Sequence, residues 1–268
     1  MEKDLDIFVF SHKTPKILPK HDAYKVVCLE DDLKNIDVSM NPIICDSKNE
    51  NIINLEHAYS EGARLHYIWK NVPLKKYIGT AHYRRYFDFM EKIPDLNEVF
   101  KEHDAILPRF NLGWGSIKEQ YKNSHNINDL NRIEDIIRRY YPDYYEIAIS
   151  TLNGPDLKPC NIFIMTSQMF NEYCEFVFGV LEKYNQEMGF KNDLDVFNHV
   201  LNNLDSYCKD KNGMLYSAYY QSRIQAFLME RISTIFYNKH IKNPLLIDLV
   251  LTEHNFGIET EFFKLYEE

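Results

Sequence analysis

The chain has 268 residues, 45% of them hydrophobic, and a formal net charge of −9 at pH 7. This length and apolar content suffice for one large domain with a buried core. The acidic balance argues against a general nucleic-acid-binding protein, which would carry a basic excess, although it allows a local basic pocket for a small anionic ligand.

Apolar runs and helical periodicities predict strands that alternate with helices along the chain. In chain order we predict strands at residues 6–10, 24–29 and 42–45, a helix at 55–71, a strand at 77–81, a helix at 95–102, a strand at 104–108, helices at 116–123, 128–140 and 144–152, a strand at 160–165, helices at 167–184 and 222–233, and a strand at 235–237. The polar residues 192–212 receive no assignment. The alternation indicates an α/β fold with a mostly parallel sheet flanked by helices. Residues 1–268 contain no repeat or linker, so a single domain is predicted.

The cysteines and the chain start indicate a cytoplasmic protein. Five cysteines, an odd number without any CxxC pair, predict free and reduced thiols; they are Cys28, Cys45, Cys160, Cys174 and Cys208. The charged first six residues are unlike a signal peptide. No apolar run reaches the ~18 residues of a membrane span. Peripheral contact with the inner face of the membrane stays open, because a membrane-linked substrate needs no spanning helix.

Several common catalytic motifs are absent from the sequence. It contains no GxGxxG, GxxxxGK[ST], HExxH or GxSxG, which removes support for dehydrogenases, P-loop kinases, zinc peptidases and α/β-hydrolases. Two Asp-x-Asp patterns occur, at Asp4–Asp6 and Asp193–Asp195. Such a pair can hold Mg or Mn against a diphosphate when it ends an apolar strand. Neither pair follows a strand, so surface carboxylates are favoured and the metal ligands stay unknown.

The segment from His82 to Phe87 is the strongest candidate for a ligand site. It places His82, Tyr83, Arg84 and Arg85 directly after a buried strand. Arginine keeps its charge inside proteins, and its forked donors suit phosphate. The alternative is an edge strand whose charges face water. Because neighbouring strand residues point to opposite faces, one arginine could bind the ligand while the other stabilises the fold.

A second candidate segment follows the first strand, and it contains Ser11, His12 and Lys13. In open α/β sheets, ligands bind beyond the carboxyl ends of the strands. These side chains could therefore touch a base or a phosphate, and the alternative is an ordinary solvated loop.

Other polar residues are weaker candidates. His125 lies between two predicted helices. Asp156 lies in a loop that could offer a carboxylate base, and the alternative is a plain turn without a functional role. Arg223 and Glu230 share one helix face. They could form a structural ion-pair network with Arg231, or a buried Glu230 could act as a general base.

Five strings of the sequence together carry a family resemblance: Tyr67-Ile-Trp-Lys-Asn71, His82-Tyr-Arg-Arg-Tyr-Phe87, Asp104-Ala-Ile-Leu-Pro108, Pro159-Cys-Asn-Ile-Phe-Ile-Met165 and Phe227-Leu-Met-Glu-Arg231. With them the sequence resembles the bacterial DUF4422 family, whose members occur among capsule and exopolysaccharide biosynthesis proteins and look like GT-A-type glycosyltransferases. The resemblance spans residues 5–237. It departs at Asn49-Glu-Asn-Ile52, where the family often has Gly-Asp-Asn-Ile, and after Glu61, where Gly62-Ala63 replaces Leu-Thr.

The resemblance implies a hexosyltransferase with a GT-A-like fold that acts in surface-polysaccharide biosynthesis. Such an enzyme would move a sugar from a nucleotide-diphosphate donor, which we expect to be a UDP-sugar, to a glycan or lipid-linked glycan. Donor phosphates would contact Ser11, His12, Lys13, His82, Tyr83, Arg84 and Arg85. The acceptor or sugar would contact His125, Asn161 and Arg223. The candidate bases are Asp156, Glu230 and Asp88. A divalent cation, Mn or Mg, is compatible with this chemistry, but the sequence establishes no cofactor. We expect no nucleic-acid partner.

Two other classes remain open at this point. One is a non-catalytic carbohydrate- or nucleotide-binding component of a polysaccharide assembly complex. The other is a sugar nucleotidyl- or phosphotransferase, which needs the same cationic phosphate contacts but releases pyrophosphate or transfers phosphate.

Overall fold

A computed structural model describes residues 4–46, 52–90, 92–110, 115–207, 217–252 and 263–265. The strands are β1 (Leu5–Phe10), β2 (Ile17–Pro19), β3 (Tyr24–Leu29), β4 (Ile43–Cys45), β5 (Tyr77–His82), β6 (Arg85–Phe87), β7 (Ile106–Pro108), β8 (Ile164–Thr166), β9 (Leu245–Ile247), β10 (Leu249–Leu251) and β11 (Phe263–Leu265). The helices are α1 (Glu56–Tyr59), α2 (Glu61–Asn71), α3 (Leu96–Glu102), α4 (Ile117–Ser124), α5 (Ile127–Tyr140), α6 (Tyr145–Leu152), α7 (Ser167–Met188), α8 (Asp193–Leu201), α9 (Leu204–Tyr207), α10 (Ala218–Gln221) and α11 (Ile224–His240).

The central sheet runs in the order β4-β3-β1-β5-β8-β7-β9. Strand β1 lies parallel to both β3 and β5, and β8 is the antiparallel strand between β5 and β7. Strand β6 turns back from β5 and also pairs with β10, while β2 and β11 form a separate pair. The predicted α/β fold with a mostly parallel sheet is confirmed.

The buried strands explain where the core lies. All six residues of β1 are buried, as expected for a parallel strand covered on both faces. Alternate residues point to opposite faces: Phe8 packs among the helices α2, α5, α7 and α11, whereas Ile7 packs against the β6 and α3 side. The one acidic residue of the strand, Asp6, pairs with Lys75 at 2.9 Å.

Three predicted elements are corrected. The helix predicted at 55–71 breaks at Ser60, whose φ of 53° and ψ of −124° separate α1 from α2. The strand predicted at 160–165 begins only at Ile164, because Cys160 and Asn161 have positive φ angles of 68° and 47° and form a tight turn. The strand predicted at 235–237 lies inside α11, where burial on nearly all sides hides helical periodicity.

Several elements had no counterpart in the prediction: the strands β2, β6, β9, β10 and β11, the helix α10, and the helices α8 and α9 in the polar stretch that begins at residue 192. The rest of that stretch, with Cys208, lies outside the described residues. The other four cysteines are free thiols, as predicted. None of the helices in the described ranges combines the length and the apolar character that crossing a bilayer requires.

Candidate functional site

The carboxyl ends of β1 and β5 bring the two predicted segments together. Phe10 pairs with His82 in the sheet, and the Tyr83 amide donates to the Phe10 carbonyl at 3.2 Å. The His12 and Tyr83 rings meet edge to face at 5.0 Å, and the Lys13 ammonium lies 5.5 Å from the Tyr83 ring centre. A small cavity opens here; its lining residues are Phe10, Ser11, His12, Ser60, Glu61, Arg64, His82 and Tyr83.

The two arginines of the segment occupy the hairpin that follows β5. Arg84 lies in the turn, with its guanidinium carbon 5.1 Å from the Tyr83 ring centre, and Arg85 is the first residue of β6. The Arg84 carbonyl accepts a 3.0 Å hydrogen bond from the Thr252 amide, which ties the turn to β10. The Arg85 side chain is half-buried, yet no residue of the described ranges forms an ion pair or hydrogen bond with it. A half-buried guanidinium of this kind is suited to bind an anion.

The pKa of His82 reflects its burial beside Arg84 and Arg85, which we call the arginine corner. Burial, together with the nearby Arg85 and Arg84 guanidiniums, lowers the pKa of His82 to about 3. Its Nδ1 atom is buried without a hydrogen-bond partner among the described residues. His82 is therefore neutral near pH 7, and the positive charge of the corner comes from the arginines.

A second layer of charged groups lies behind the hairpin, on α11. The Glu230 carboxylate accepts hydrogen bonds from the Cys160 amide at 2.8 Å and from the Arg231 guanidinium at 2.9 Å. Burial raises the pKa of Glu230, and Arg231 opposes that rise. Arg231 also donates to Gln120 at 2.5 Å. Arg223 does not join this pair, because its guanidinium donates to the Ser60 hydroxyl at 2.8 Å.

The other predicted carboxylates lie elsewhere. Asp156 is exposed and forms an ion pair with Lys158. Asp88 follows the far end of β6 and lines an open cleft that also contains Arg109 and Asp248. Glu230, unlike these two, contacts Cys160, whose thiol lies within the electrostatic influence of Arg85 and Arg84. The catalytic roles of all three stay predictions.

Two of the predicted sugar-binding residues have protein partners. His125 is buried, bonds through Nδ1 to the Gln221 side chain at 3.1 Å and stacks on Phe227 at 3.9 Å. Asn161 is also buried: its carbonyl accepts from Thr80 at 2.6 Å, and its side-chain oxygen accepts from the Ser233 hydroxyl at 3.0 Å. These contacts support the fold around the site, whereas half-buried Arg223 reaches the cavity wall through Ser60.

The Asp193–Asp195 pattern caps helices. Asp193 accepts from the His57 and Ala58 amides at 2.9 Å each, at the start of α1. Asp195 forms the capping box of α8 with Asn192. Within the described ranges, no three His, Cys, Asp or Glu side chains converge as a cation site would require. We therefore assign no metal ligands.

Sequence reasoning missed three residues of the cavity wall, Ser60, Glu61 and Arg64, and the ion-pair partner of Arg64, Asp32. Asp32 and Arg64 form an ion pair at 2.6 Å. Asp32 closely follows the carboxyl end of β3, next to β1, so the rule that located Ser11 and His12 would have found it. The other three lie around the break at Ser60, which a continuous helical pattern concealed.

The fold of this chain is similar to that of a solved glycosyltransferase structure. Over 93% of this chain, the fold matches the apo structure of the bifunctional glycosyltransferase WbbM, with a TM-score of 0.66 and 18% sequence identity. The chain spans 45% of the length of that protein. At this identity the match shows a shared fold, that of a glycosyltransferase.

The family follows from the sequence match. Residues 6–201 match DUF4422, described as a domain of unknown function, and the chain belongs to this family. The predicted family is thus confirmed. A comparison with curated proteins gives no match.

Proposed function

We propose that the protein is a hexosyltransferase that moves a sugar from a UDP-linked donor to a glycan acceptor in surface-polysaccharide biosynthesis. The supporting observation is the half-buried Arg85 guanidinium, which has no anionic partner among the described residues and lies beside Arg84 at the carboxyl ends of β1 and β5. A donor diphosphate would supply the negative charge that the Arg85 guanidinium does not find among the described residues.

The proposed chemistry uses the arginines on the leaving group. As the bond between the sugar and the diphosphate breaks, its electron pair leaves with the phosphate oxygen. Cations held in place before the reaction stabilise that charge without further reorganisation. Arg84 and Arg85 take this role. Ser11 and His12 line the adjoining cavity, and the Lys13 ammonium lies 5.5 Å from the ring centre of Tyr83.

The acceptor hydroxyl must lose its proton when it attacks the sugar. Glu230 is our proposed base among the predicted three, because it contacts Cys160, which lies within the electrostatic influence of Arg85 and Arg84, and because burial raises the pKa of Glu230. A raised carboxyl pKa makes proton transfer near neutral pH more favourable. Asp156 and Asp88 are the alternatives, and their exposed positions make them suitable controls.

The acceptor is proposed to approach along the side of Arg223, with His125 and Asn161 supporting that wall from behind. A lipid-linked glycan would bring the protein to the inner face of the membrane by peripheral contact, in the cytoplasm. The proposed partners are thus a nucleotide sugar and a glycan, without nucleic acid.

The proposal is tested by thermal unfolding against UDP-, GDP-, CDP- and dTDP-sugars, with and without Mn. A donor at 100 times its dissociation constant should stabilise the protein by about 2.7 kcal/mol. Release of the nucleoside diphosphate is then followed with the binding donor. A flat response across the panel would contradict the transferase proposal. Tight binding without any release would favour a non-catalytic binding component, and release of pyrophosphate would favour a nucleotidyltransferase.

A further inference from the structure

Glu61 is an acidic residue in the wall of the cavity that adjoins the arginine hairpin. It is the first residue of α2, it is half-buried, and it lines the cavity opposite Ser11 and His82. None of the residues that the structure describes donates a hydrogen bond to its carboxylate or forms an ion pair with it. Half-buried carboxylates usually have such partners, so this one requires an explanation.

The backbone holds Glu61 firmly at this place. The break at Ser60 starts α2 just before it, and Gly62 lets α2 approach α11 so closely that an added Cβ would lie 2.7 Å from the Met229 sulfur. The Glu61 charge consequently raises the pKa of both Glu230 and Cys160. Glu61 thus lies between the cavity and the second layer of charges.

Two arginines on the neighbouring helices α2 and α11 already have other partners. Arg64 pairs with Asp32 at 2.6 Å, and Arg231 pairs with Glu230 at 2.9 Å. The carboxylate therefore keeps its acceptor capacity for a molecule that enters the cavity.

An ionised carboxylate only accepts hydrogen bonds, and it repels phosphate. Its natural ligand is a hydroxyl group, and charge-assisted bonds to hydroxyls are short and strong. Glu61 lines the cavity, and the two arginines directly follow its lining residues His82 and Tyr83. A ligand in the cavity would therefore meet a group that prefers hydroxyls close to groups that prefer a diphosphate.

We infer that Glu61 binds hydroxyl groups of the donor sugar and so makes the site prefer the complete nucleotide sugar over the nucleoside diphosphate alone. This inference rests on the proposed function, since it takes the arginine corner to hold the diphosphate. Glu61 is then the residue that selects the sugar, separate from the arginines that bind the leaving group.

The test is calorimetric titration of the wild type, Glu61→Gln and Glu61→Ala with UDP and with UDP-galactose, UDP-glucose and UDP-N-acetylglucosamine. Glu98→Gln is the control, because Glu98 also lies in the first turn of a helix but pairs with Lys101 on the surface. Near-UV circular dichroism and the unfolding midpoint verify that each variant folds.

We expect Glu61→Gln to bind UDP within about twofold of the wild type and to bind the preferred UDP-sugar about 10- to 100-fold more weakly, as the loss of a charge-assisted bond predicts. Glu61→Ala should behave likewise and Glu98→Gln like the wild type. If the wild type binds no UDP compound, the proposed function fails. If UDP binds, but no sugar adds affinity or Glu61→Gln weakens UDP and UDP-sugar equally, the proposed function survives and the role of Glu61 is refuted.

Discussion

The Arg223 guanidinium donates a 2.8 Å hydrogen bond to the Ser60 hydroxyl and so joins the start of α11 to the break between α1 and α2. Ser60 has a φ of 53° and a ψ of −124°, a conformation that residues with a Cβ rarely adopt. Such local strain persists only where the surroundings enforce it, and it is concentrated at functional sites.

Two substitutions at Ser60 separate the strain from the hydrogen bond. Ser60→Ala keeps the Cβ and loses the bond, so it should lower the free energy of unfolding by about 1 kcal/mol. Ser60→Gly loses the same bond but relieves strain of about 1–3 kcal/mol, partly offset by about 0.5–1 kcal/mol of chain entropy. Urea unfolding should therefore rank Ser60→Gly above Ser60→Ala by roughly 1 kcal/mol. Equal stabilities would show that any strain at Ser60 does not exceed the chain-entropy cost of about 0.5–1 kcal/mol.

Most of the central strands and part of the candidate cavity wall could be predicted from the sequence for one physical reason. Buried parallel strands are continuous apolar runs, and their carboxyl ends meet at one edge, so Ser11, His12 and His82 could be placed together before the fold was seen. The break at Ser60 could not be predicted, because the pattern from 55 to 71 is helical on both sides of it. Glu61 was missed for that reason, since its position depends on the break and on the contact between Gly62 and Met229.

His82 should stay neutral across the physiological range. Burial and the two arginines lower its pKa to about 3, below the ordinary 6.5. In NMR spectra of the free protein, the His82 ring signal should therefore not shift between pH 5 and pH 8, and its absence in His82→Gln identifies it.

The same pKa has a consequence for stability. The unfolded chain takes up a proton at His82 below about pH 6.5, whereas the folded chain does not, so this residue destabilises the fold progressively as the pH falls from about 6.5 towards 3. His82→Gln should lose less stability than the wild type over that interval. A midpoint of the His82 signal above pH 5.5 would contradict a buried His82 beside the two arginines.

Asp129 should give a second pH dependence, of opposite sign. Its carboxylate is buried and accepts hydrogen bonds from the Tyr184 and Tyr207 hydroxyls at 2.7 and 3.0 Å. Burial raises its pKa to about 6, against the lowering effects of these bonds and of the nearby Arg132. The folded chain therefore keeps this proton between about pH 4 and pH 6, where the unfolded chain loses it.

Stability from Asp129 is thus present at low pH and is lost as the pH rises through about 6, by up to roughly 3 kcal/mol. Asp129→Asn has nearly the same shape, still accepts from both tyrosines and carries no charge. Relative to the wild type, it should gain unfolding free energy as the pH is raised from 4 to 7, as measured by urea titrations at each pH. A difference that stays constant with pH would place the Asp129 pKa at its ordinary value.

Arg85 gives the most direct test of the arginine corner. Because the described residues offer its guanidinium no hydrogen-bond acceptor or anion, its removal should leave the fold intact and cost only ligand affinity. Arg85→Ala should bind UDP about 10- to 100-fold more weakly, as expected for loss of a charge-assisted hydrogen bond. Arg85→Lys should fall between this variant and the wild type, since lysine keeps the charge but not the fork.

The matched control is Arg138→Ala on α5, an exposed arginine that pairs with Asp135 at 2.8 Å. It removes the same charge from the surface and should leave the UDP dissociation constant unchanged within about twofold, because exposed pairs contribute little. All four proteins are compared by calorimetry at the same ionic strength, since screening weakens exposed charges more than half-buried ones. If Arg85→Ala bound UDP with wild-type affinity, the diphosphate would not bind at the hairpin, and Arg85 would have a structural role only.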